Sequence, residues 1–262
     1  VYVRHGRNAW SFVCGRHVDP RGWLRASEPT FLDADLAFYA TLGDGADQPL
    51  VSCLMLVHDR PHLVPQAIAY FRRQDYARRE LVVVDDAPEP VDHLLPADPR
   101  IRHVRLATRH TIGAKRNAGC DAALGTLVAH WDDDDWAAPW RLSYQVAELV
   151  QSGADVAGLR TVLFFSPSAR RAWRYVWPQT RPWAHGATLL YTKELWRRNA
   201  FADVDRGEDS RFLWSGDAKR VHTHADERFY VGIVHPGNTS PKRTGDPRWR
   251  RHDADDVERL FG

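Results

Sequence analysis

Cysteine, net charge and long apolar runs are all scarce in this sequence, and each scarcity removes a class of protein. Its 262 residues hold three cysteines, Cys14, Cys53 and Cys120, odd in number and far apart. They form neither a disulfide framework nor a Cys-x-x-Cys metal pair, so a reducing, cytoplasmic setting is expected. No apolar run approaches the roughly 20 residues that span a bilayer, and no charged-then-apolar leader is visible, so no transmembrane segment is expected. Lys and Arg (36) nearly balance Asp and Glu (34), and a formal charge of +2 gives no global basic field to attract nucleic acid. With 44% hydrophobic and 27% charged residues, the chain is neither disordered nor low-complexity. Its length suits one large α/β domain, or one domain with a small attachment, and can bury a core without disulfides. The sequence opens on Val1 rather than Met, as a processed chain or the tail of something longer would.

What is present is an alternation of strands and helices. Leu50 to Val57 is a near-continuous apolar run, as expected of a strand buried on both faces. Leu63, Val64, Ala67, Ile68 and Phe71 recur at helical spacing and predict an amphipathic helix over about 62–73. Leu81 to Val84 reads as a second buried strand, Ile101 to Leu106 as a third, Gly113 to Leu124 as a helix, and Thr126 to Trp131 as a fourth strand. Such alternation predicts a doubly wound, mainly parallel α/β sheet. After Asp135 the pattern changes. A helix starts at Pro139, extended stretches cover 156–165 and 172–177, a short strand covers 187–191, and a helix covers 193–198. This mixed second half reads as a substrate-covering part. Lys242, Arg243, Arg248, Arg250 and Arg251 form a basic cluster in a segment expected to be loose.

The strongest chemical signal is Trp131-Asp132-Asp133-Asp134-Asp135-Trp136. Four adjacent carboxylates repel one another, and a hard divalent cation such as Mn²⁺ or Mg²⁺ gives a reason to place them at a strand end, where ligands of open α/β sheets bind. The plainer alternative is a solvated acidic turn. Asp85-Asp86 closes the second strand in the same way, and a carboxylate there can accept from a nucleobase N–H or a ribose hydroxyl. Gly113-Ala114-Lys115-Arg116-Asn117 opens a helix, whose first N–H groups with Lys115 and Arg116 can receive a diphosphate. A surface helix start with solvated charges is the equal alternative.

These motifs, in this order and spacing from about Pro49 to Trp140, resemble a family 2 glycosyltransferase of GT-A fold. Gly186 to Tyr191 and Gly207-Glu208-Asp209 resemble that family's acceptor-side strand and ED motif, which extends the likeness to roughly Ser240. The resemblance implies an inverting transfer of sugar from a nucleotide-diphosphate donor, a UDP-sugar being favoured, to a hydroxyl of a glycan or small-molecule acceptor. It matches Asp132 and Asp134 to the DxD metal ligands for Mn²⁺ or Mg²⁺, with His235 as a third. Asp86 matches the base-contacting acid, with Asp59, Lys115, Arg116, Asp132 and Asp133 grouped as donor-binding residues. Asp209 matches the catalytic base, with Glu208 beside it. The family's Thr-x-x-Asn after the first strand is replaced by Val57-His58-Asp59, so the contacts to the donor base differ from the family pattern.

The likeness divides the chain into a leading segment (1–48), a GT-A domain (49–240) and a basic tail with a short helix (241–262). His5 to Ala9 shares an H-x-x-N-small pattern with His235 to Thr239, so the leading segment is read as the closing strand of a preceding glycosyltransferase-like unit. His222 and His224 share a strand face and read as a solvated pair. Of the eleven tryptophans, Trp173, Trp177, Trp183 and Trp196 fall in the acceptor half, mostly as core with one or two at the acceptor cleft. The terminal basic residues read as a solvated tail, with a lid over the diphosphate or contact with an anionic membrane as alternatives. Two other functions share these features: a metal-dependent nucleotidyltransferase, and a non-catalytic module that binds nucleotide-sugars or glycans.

Overall fold

Both faces of the first strands are apolar, and the structure uses both. In β1 (Val51–Val57) and β2 (Arg79–Asp85), Cys53, Met55, Leu81 and Val83 point into one core cluster, while Leu54, Val82 and Val84 point into the other. Period-two alternation thus splits a continuous apolar run between two helix layers. The first layer holds α1 (Val64–Arg72) and α3 (Arg141–Ser152), and the second holds α2 (Ile112–Ala122), α4 (Lys193–Arg198) and α5 (Glu208–Trp214). The computed structural model describes residues 48–178, 181–216 and 219–261. The leading segment with its His5 to Ala9 pattern lies outside them.

Among the described residues the strands form two sheets. The larger adds β3 (Ile101–Arg105), β4 (Leu127–His130), β6 (Val156–Leu159), β9 (Leu190–Thr192) and β10 (Val221–His224), in the order β10-β6-β9-β4-β1-β2-β3. All neighbours are parallel except β9, which runs antiparallel to both β4 and β6. The chain winds outward from β1 to β3 and then returns to β4 on the other side of β1. The crevice beyond the carboxyl ends of β1 and β4 is therefore a topological switch point, where open α/β sheets bind ligands.

The smaller sheet has the order β12-β8-β7-β11-β5 and comprises β5 (Trp136–Ala137), β7 (Thr161–Ser166), β8 (Arg171–Val176), β11 (Tyr230–Ile233) and β12 (Trp249–His252). Its last member corrects the reading of the end of the chain as a loose basic tail. β12 pairs antiparallel with β8 from Trp249–Tyr175 to His252–Ala172, and α6 (Ala254–Glu258) follows it. Trp249 packs its ring 4.5 Å from Phe164 and Arg251 lies over Trp173, so the arginines flank an aromatic seam that holds the segment down.

Two smaller expectations also shift. The short strand expected at 187–191 begins as a 3-10 turn over Gly186–Thr188, and the extended stretch 156–165 breaks between β6 and β7. Trp173 and Trp183 are core residues, Trp177 stacks on Trp183, and Trp196 donates to Asn117 Oδ1 at 2.9 Å. No helix among the described residues is long and apolar enough to cross a membrane.

Candidate active site

The four aspartates fill the loop between β4 and β5, and the tryptophans on either side pin it. Trp131 is buried and donates from Nε1 to Ala67 O at 3.1 Å, and Trp136 is buried at the other end. Each aspartate then has its own task. Asp135 accepts from the Tyr230 hydroxyl and from Ile233 N (2.7 Å), which ties the loop to β11. Asp133 and Asp134 each take one arm of the Arg60 guanidinium at 2.6 Å, so the segment after β1 is clamped to the segment after β4 across the switch point. Asp134 also faces His235 Nε2 at 3.0 Å and Asn238 Nδ2 at 3.4 Å.

The charge in this loop exceeds what the protein neutralises. Burial, reinforced by Asp134, pushes the Asp132 carboxyl up against the pull of Arg116. Burial pushes Asp133 up to about 7 despite Arg60, and burial together with Asp134 and Asp132 raises the Asp135 carboxyl as well. Asp134 is half-buried, yet Arg60 and His235 more than offset the desolvation and hold its carboxyl below the usual range. Oxygens of Asp132, Asp134 and Asp135 lie within 4.8 Å of one another, and Asp133 Oδ2 is buried without a partner. Convergent hard oxygen donors carrying unbalanced negative charge fit a divalent cation such as Mn²⁺ or Mg²⁺. With Asp135 spent on anchoring and Asp134 Oδ2 on Arg60 and His235, Asp132 and the second oxygen of Asp134 are the donors left for a cation.

The neighbouring strand end is built differently from expectation. Asp85 caps its own turn, accepting from Ala87 N, Val91 N and His103 Nε2. Asp86 is buried, with His58 Nδ1 (3.0 Å) and Lys115 Nζ (2.8 Å) on Oδ1 and His110 N (2.8 Å) on Oδ2. Three of its four lone-pair positions are thus filled by protein donors, and its side chain is fully buried. His58, which replaces the family's usual pattern, is therefore part of this pocket. Asp59 is exposed and takes the left-handed backbone conformation (φ 53°) that lets the chain turn between His58 and Arg60.

The reading of Lys115, Arg116 and the helix start as an open phosphate site needs correction. Lys115 and Arg116 are each only 5% exposed. The Lys115 ammonium is spent on Asp86 and on Val57 O at 3.2 Å, and the Arg116 guanidinium on Glu208 Oε1 at 3.3 Å. The first turn of α2 is already covered by protein. Thr111 caps it, Gly113 N donates to Val204 O, and Ile112 N donates to Asp205 Oδ1. A Cβ on Gly113 would stand 1.8 Å from Ala202 O, so only glycine permits this close approach. Asn117 holds the same covering segment with two bonds to the Phe201 backbone.

Glu208 and Asp209 begin α5, entered through Gly207 in the left-handed conformation (φ 73°). Asp209 is half-buried and packs on the backbone of Gly186, where an added Cβ would lie 2.4 Å from its Oδ2. Arg116 joins this end to the acidic loop, because its strongest electrostatic partners after Glu208 include Asp132 and Asp209. Its Nη1 is buried and has no hydrogen-bond partner. Burial raises the Glu208 carboxyl, and Arg116 opposes that.

Besides Arg60, two residues that sequence reasoning missed, His130 and Arg141, hold this arrangement, together with Lys242 of the basic cluster. His130 is buried at the end of β4 and kept neutral by burial and by Arg116. It bonds through Nδ1 to Gly186 O at 2.5 Å and through Nε2 to the Tyr191 hydroxyl at 3.3 Å. Arg141 donates from Nη2 to His130 O (2.7 Å) and Ala187 O (3.0 Å). Lys242 lies over the Phe164 ring and acts electrostatically on Asp132 and Asp135, so the basic end of the chain contributes to the site. Lys242 belongs to the basic cluster already legible in the sequence. His130 and Arg141 sit inside apolar patterns that carry no chemical signal.

Residues 52–204 match the family described as Glycosyl transferase family 2. The succinoglycan biosynthesis protein ExoO of Rhizobium meliloti is 32% identical over 112 residues, which is 42% of this chain and 32% of that protein. The uncharacterized glycosyltransferase EpsJ of Bacillus subtilis is 28% identical over 221 residues, covering 72% of this chain and 62% of its own length. The chain thus spans less than two thirds of either relative. Among solved structures, TarS 1–349 of S. aureus in complex with UDP-GlcNAc superposes with a TM-score of 0.58 at 16% identity, covering 72% of this chain and 60% of that one. The mannosyltransferase PcManGT of Pyrobaculum calidifontis, in complex with GDP-Man and Mn²⁺, gives 0.55 at 18% identity, covering 79% and 65%. The expected GT-A fold is the one found.

Proposed function

Because the chain belongs to glycosyl transferase family 2, we propose that it transfers a sugar from a nucleotide-diphosphate donor to an acceptor hydroxyl with inversion at the anomeric carbon. The observation that carries this reading is that the end of β4, which bears the acidic loop, meets Asp209 at Gly186, where His130 bonds to Gly186 O at 2.5 Å and Asp209 packs on the Gly186 backbone, beside the switch point. A family relationship alone would not assign roles, since function resides in the site.

Asp132 and Asp134, with His235 next to Asp134, would hold Mn²⁺ or Mg²⁺, and Asp133 is braced by Arg60. A bound cation there neutralises the negative charge that the departing nucleoside diphosphate gains. Asp209 accepts the proton of the acceptor hydroxyl as its oxygen bonds to the anomeric carbon. The bond from that carbon to the diphosphate oxygen breaks, and the electron pair leaves with the diphosphate. A single displacement inverts the centre, as a water-activating carboxylate does in inverting glycosidases. Asp86 matches the acid that contacts the donor base, and a UDP-sugar is the favoured donor. TarS with UDP-GlcNAc and PcManGT with GDP-Man and Mn²⁺ share the fold and support a nucleotide-sugar donor and a divalent cation. The acceptor is a glycan or small molecule. Free, buried thiols at Cys53 and Cys120 accord with a reducing cytoplasm.

The test is to supply UDP- and GDP-sugars with Mn²⁺ and a panel of glycan acceptors, and to follow the released product. Nucleoside diphosphate is expected, with the new linkage inverted relative to the donor. Pyrophosphate released from a nucleoside triphosphate would instead identify a nucleotidyltransferase. Donor binding without turnover on any acceptor or water would identify a binding module.

A further inference from the structure

Polar side chains that looked free in the sequence generally find partners in this fold. His222 and His224, read as a solvated pair, are corrected in this way. His222 bonds to Glu148 at 2.9 Å, and the buried His224 accepts from the Gln145 amide at 3.3 Å. The ammonium of Lys242 is different. Lys242 is half-buried, its Nζ lies 5.2 Å from the centroid of the Phe164 ring, and it has no hydrogen-bond or ion-pair partner among the described residues. A ring face attracts a cation but leaves its N–H donors unfilled.

The strand order of the smaller sheet puts Lys242 there. β11 and β12 lie on opposite sides of β7 and β8, so the connection between them, residues 234–248, has to cross those two strands. Its start is tied to the acidic loop. His235 Nε2 and Asn238 Nδ2 both meet Asp134 Oδ2, and Arg60 Nη1 donates to Gly237 O at 3.4 Å. Its end is fixed by the pairing of β12 with β8. Lys242 stands between these anchors, over Phe164 of β7. From Phe164 a run of rings leads back to the acidic loop. The Phe164 centroid lies 5.6 Å from that of His185, His185 lies 6.1 Å from Tyr230, and the Tyr230 hydroxyl donates to Asp135. The charge of Lys242 accordingly acts on Asp132 and Asp135 without pairing with either.

Phosphoryl oxygens that gain negative charge are stabilised by clamps of Arg, Lys and metal ions. The other Lys and Arg side chains at the acidic loop are already engaged. Arg60 holds Asp133 and Asp134, Arg116 is bonded to Glu208, and Arg141 serves His130 O, Ala187 O and Gln145 Oε1. Lys115, which the sequence placed at the diphosphate, is spent on Asp86. We propose that Lys242 binds the diphosphate of the nucleotide donor and shares with the metal site the charge that the leaving group gains. This role rests on the sugar-transfer reading. A compact charge on a flexible four-carbon stem suits it, because the ammonium can leave the Phe164 ring for the phosphate without moving the backbone.

Calorimetric titration of UDP, GDP, UMP and GMP with Mn²⁺ into the full chain tests it on wild type, K242M and K242R. Methionine keeps an unbranched stem over Phe164 and removes the charge. Wild type is expected to bind one of the two diphosphates. K242M is expected to bind that diphosphate at least about tenfold more weakly, as loss of one charge-assisted contact implies, with the matching monophosphate much less affected. K242R is expected to recover most of the diphosphate affinity. Unchanged diphosphate affinity in K242M, an equal loss for the monophosphate, or an effect confined to the KM of the acceptor would each overturn the role of Lys242 while leaving the sugar-transfer reading in place. Failure of wild type to bind either diphosphate would instead overturn that reading, and the role with it.

Discussion

Replacing Asp209 by Asn is expected to slow nucleoside diphosphate release about 10²- to 10⁴-fold, the usual share of a general base, while donor affinity changes little. The substitution suits the question because it removes only the proton acceptor. Asn can still accept from Ser210 N, as Asp209 Oδ1 does at 2.6 Å, and it occupies the same space against Gly186. A rate within a few-fold of wild type would remove Asp209 from the chemistry. The rate can be read with water as acceptor, since the same carboxylate would take the proton from water.

The second large effect concerns the fold rather than the reaction. Arg141→Met is expected to cost about 3–5 kcal/mol, read as a lower urea midpoint and melting temperature. Arg141 is 2% exposed, and three features converge on it. Its donors serve His130 O, Ala187 O and Gln145 Oε1. Its guanidinium lies 4.9 Å from the centroid of Trp131 and 5.4 Å from that of Tyr230. It is also a buried cation close enough to act on Asp132 and Asp135. Methionine fills much of the volume but strips the carbonyls of their donor and leaves the acidic loop with less countercharge. Because domains hold only roughly 5–15 kcal/mol in total, such a loss would leave the variant marginal. A loss under about 1 kcal/mol would show that the network is not what fixes the loop.

How much of this was legible follows from where the information lies. β1, β2 and the acidic loop could be read directly, because a run buried on both faces and four adjacent carboxylates are local patterns. The first turn of α2 could not. Lys115 and Arg116 look like surface charges until the segment after Asn199 folds over them, and nothing near Gly113 announces a partner some 90 residues away. β12 was hidden for a similar reason. Its arginines read as solvated, while the aromatic seam they flank is formed with Phe164, Trp173 and Tyr175 from strands far earlier in the chain. The parallel pairing of β11 with β7 is equally non-local. Of the candidate site, the sequence pattern named the acids but not what braces them. Arg60, His130, Arg141 and Lys242 are ordinary residues in ordinary patterns, and only the switch point between β1 and β4 gives them a role.

The most direct single measurement is calorimetric titration of UDP and GDP into wild type and Asp134→Ala, with and without Mn²⁺. Binding of one nucleoside diphosphate is expected to strengthen at least about tenfold with Mn²⁺ in wild type, and that gain is expected to vanish in Asp134→Ala. The same affinity with and without Mn²⁺, or a full Mn²⁺ gain in the variant, would contradict the assignment of the acidic loop as the metal-bearing heart of the site.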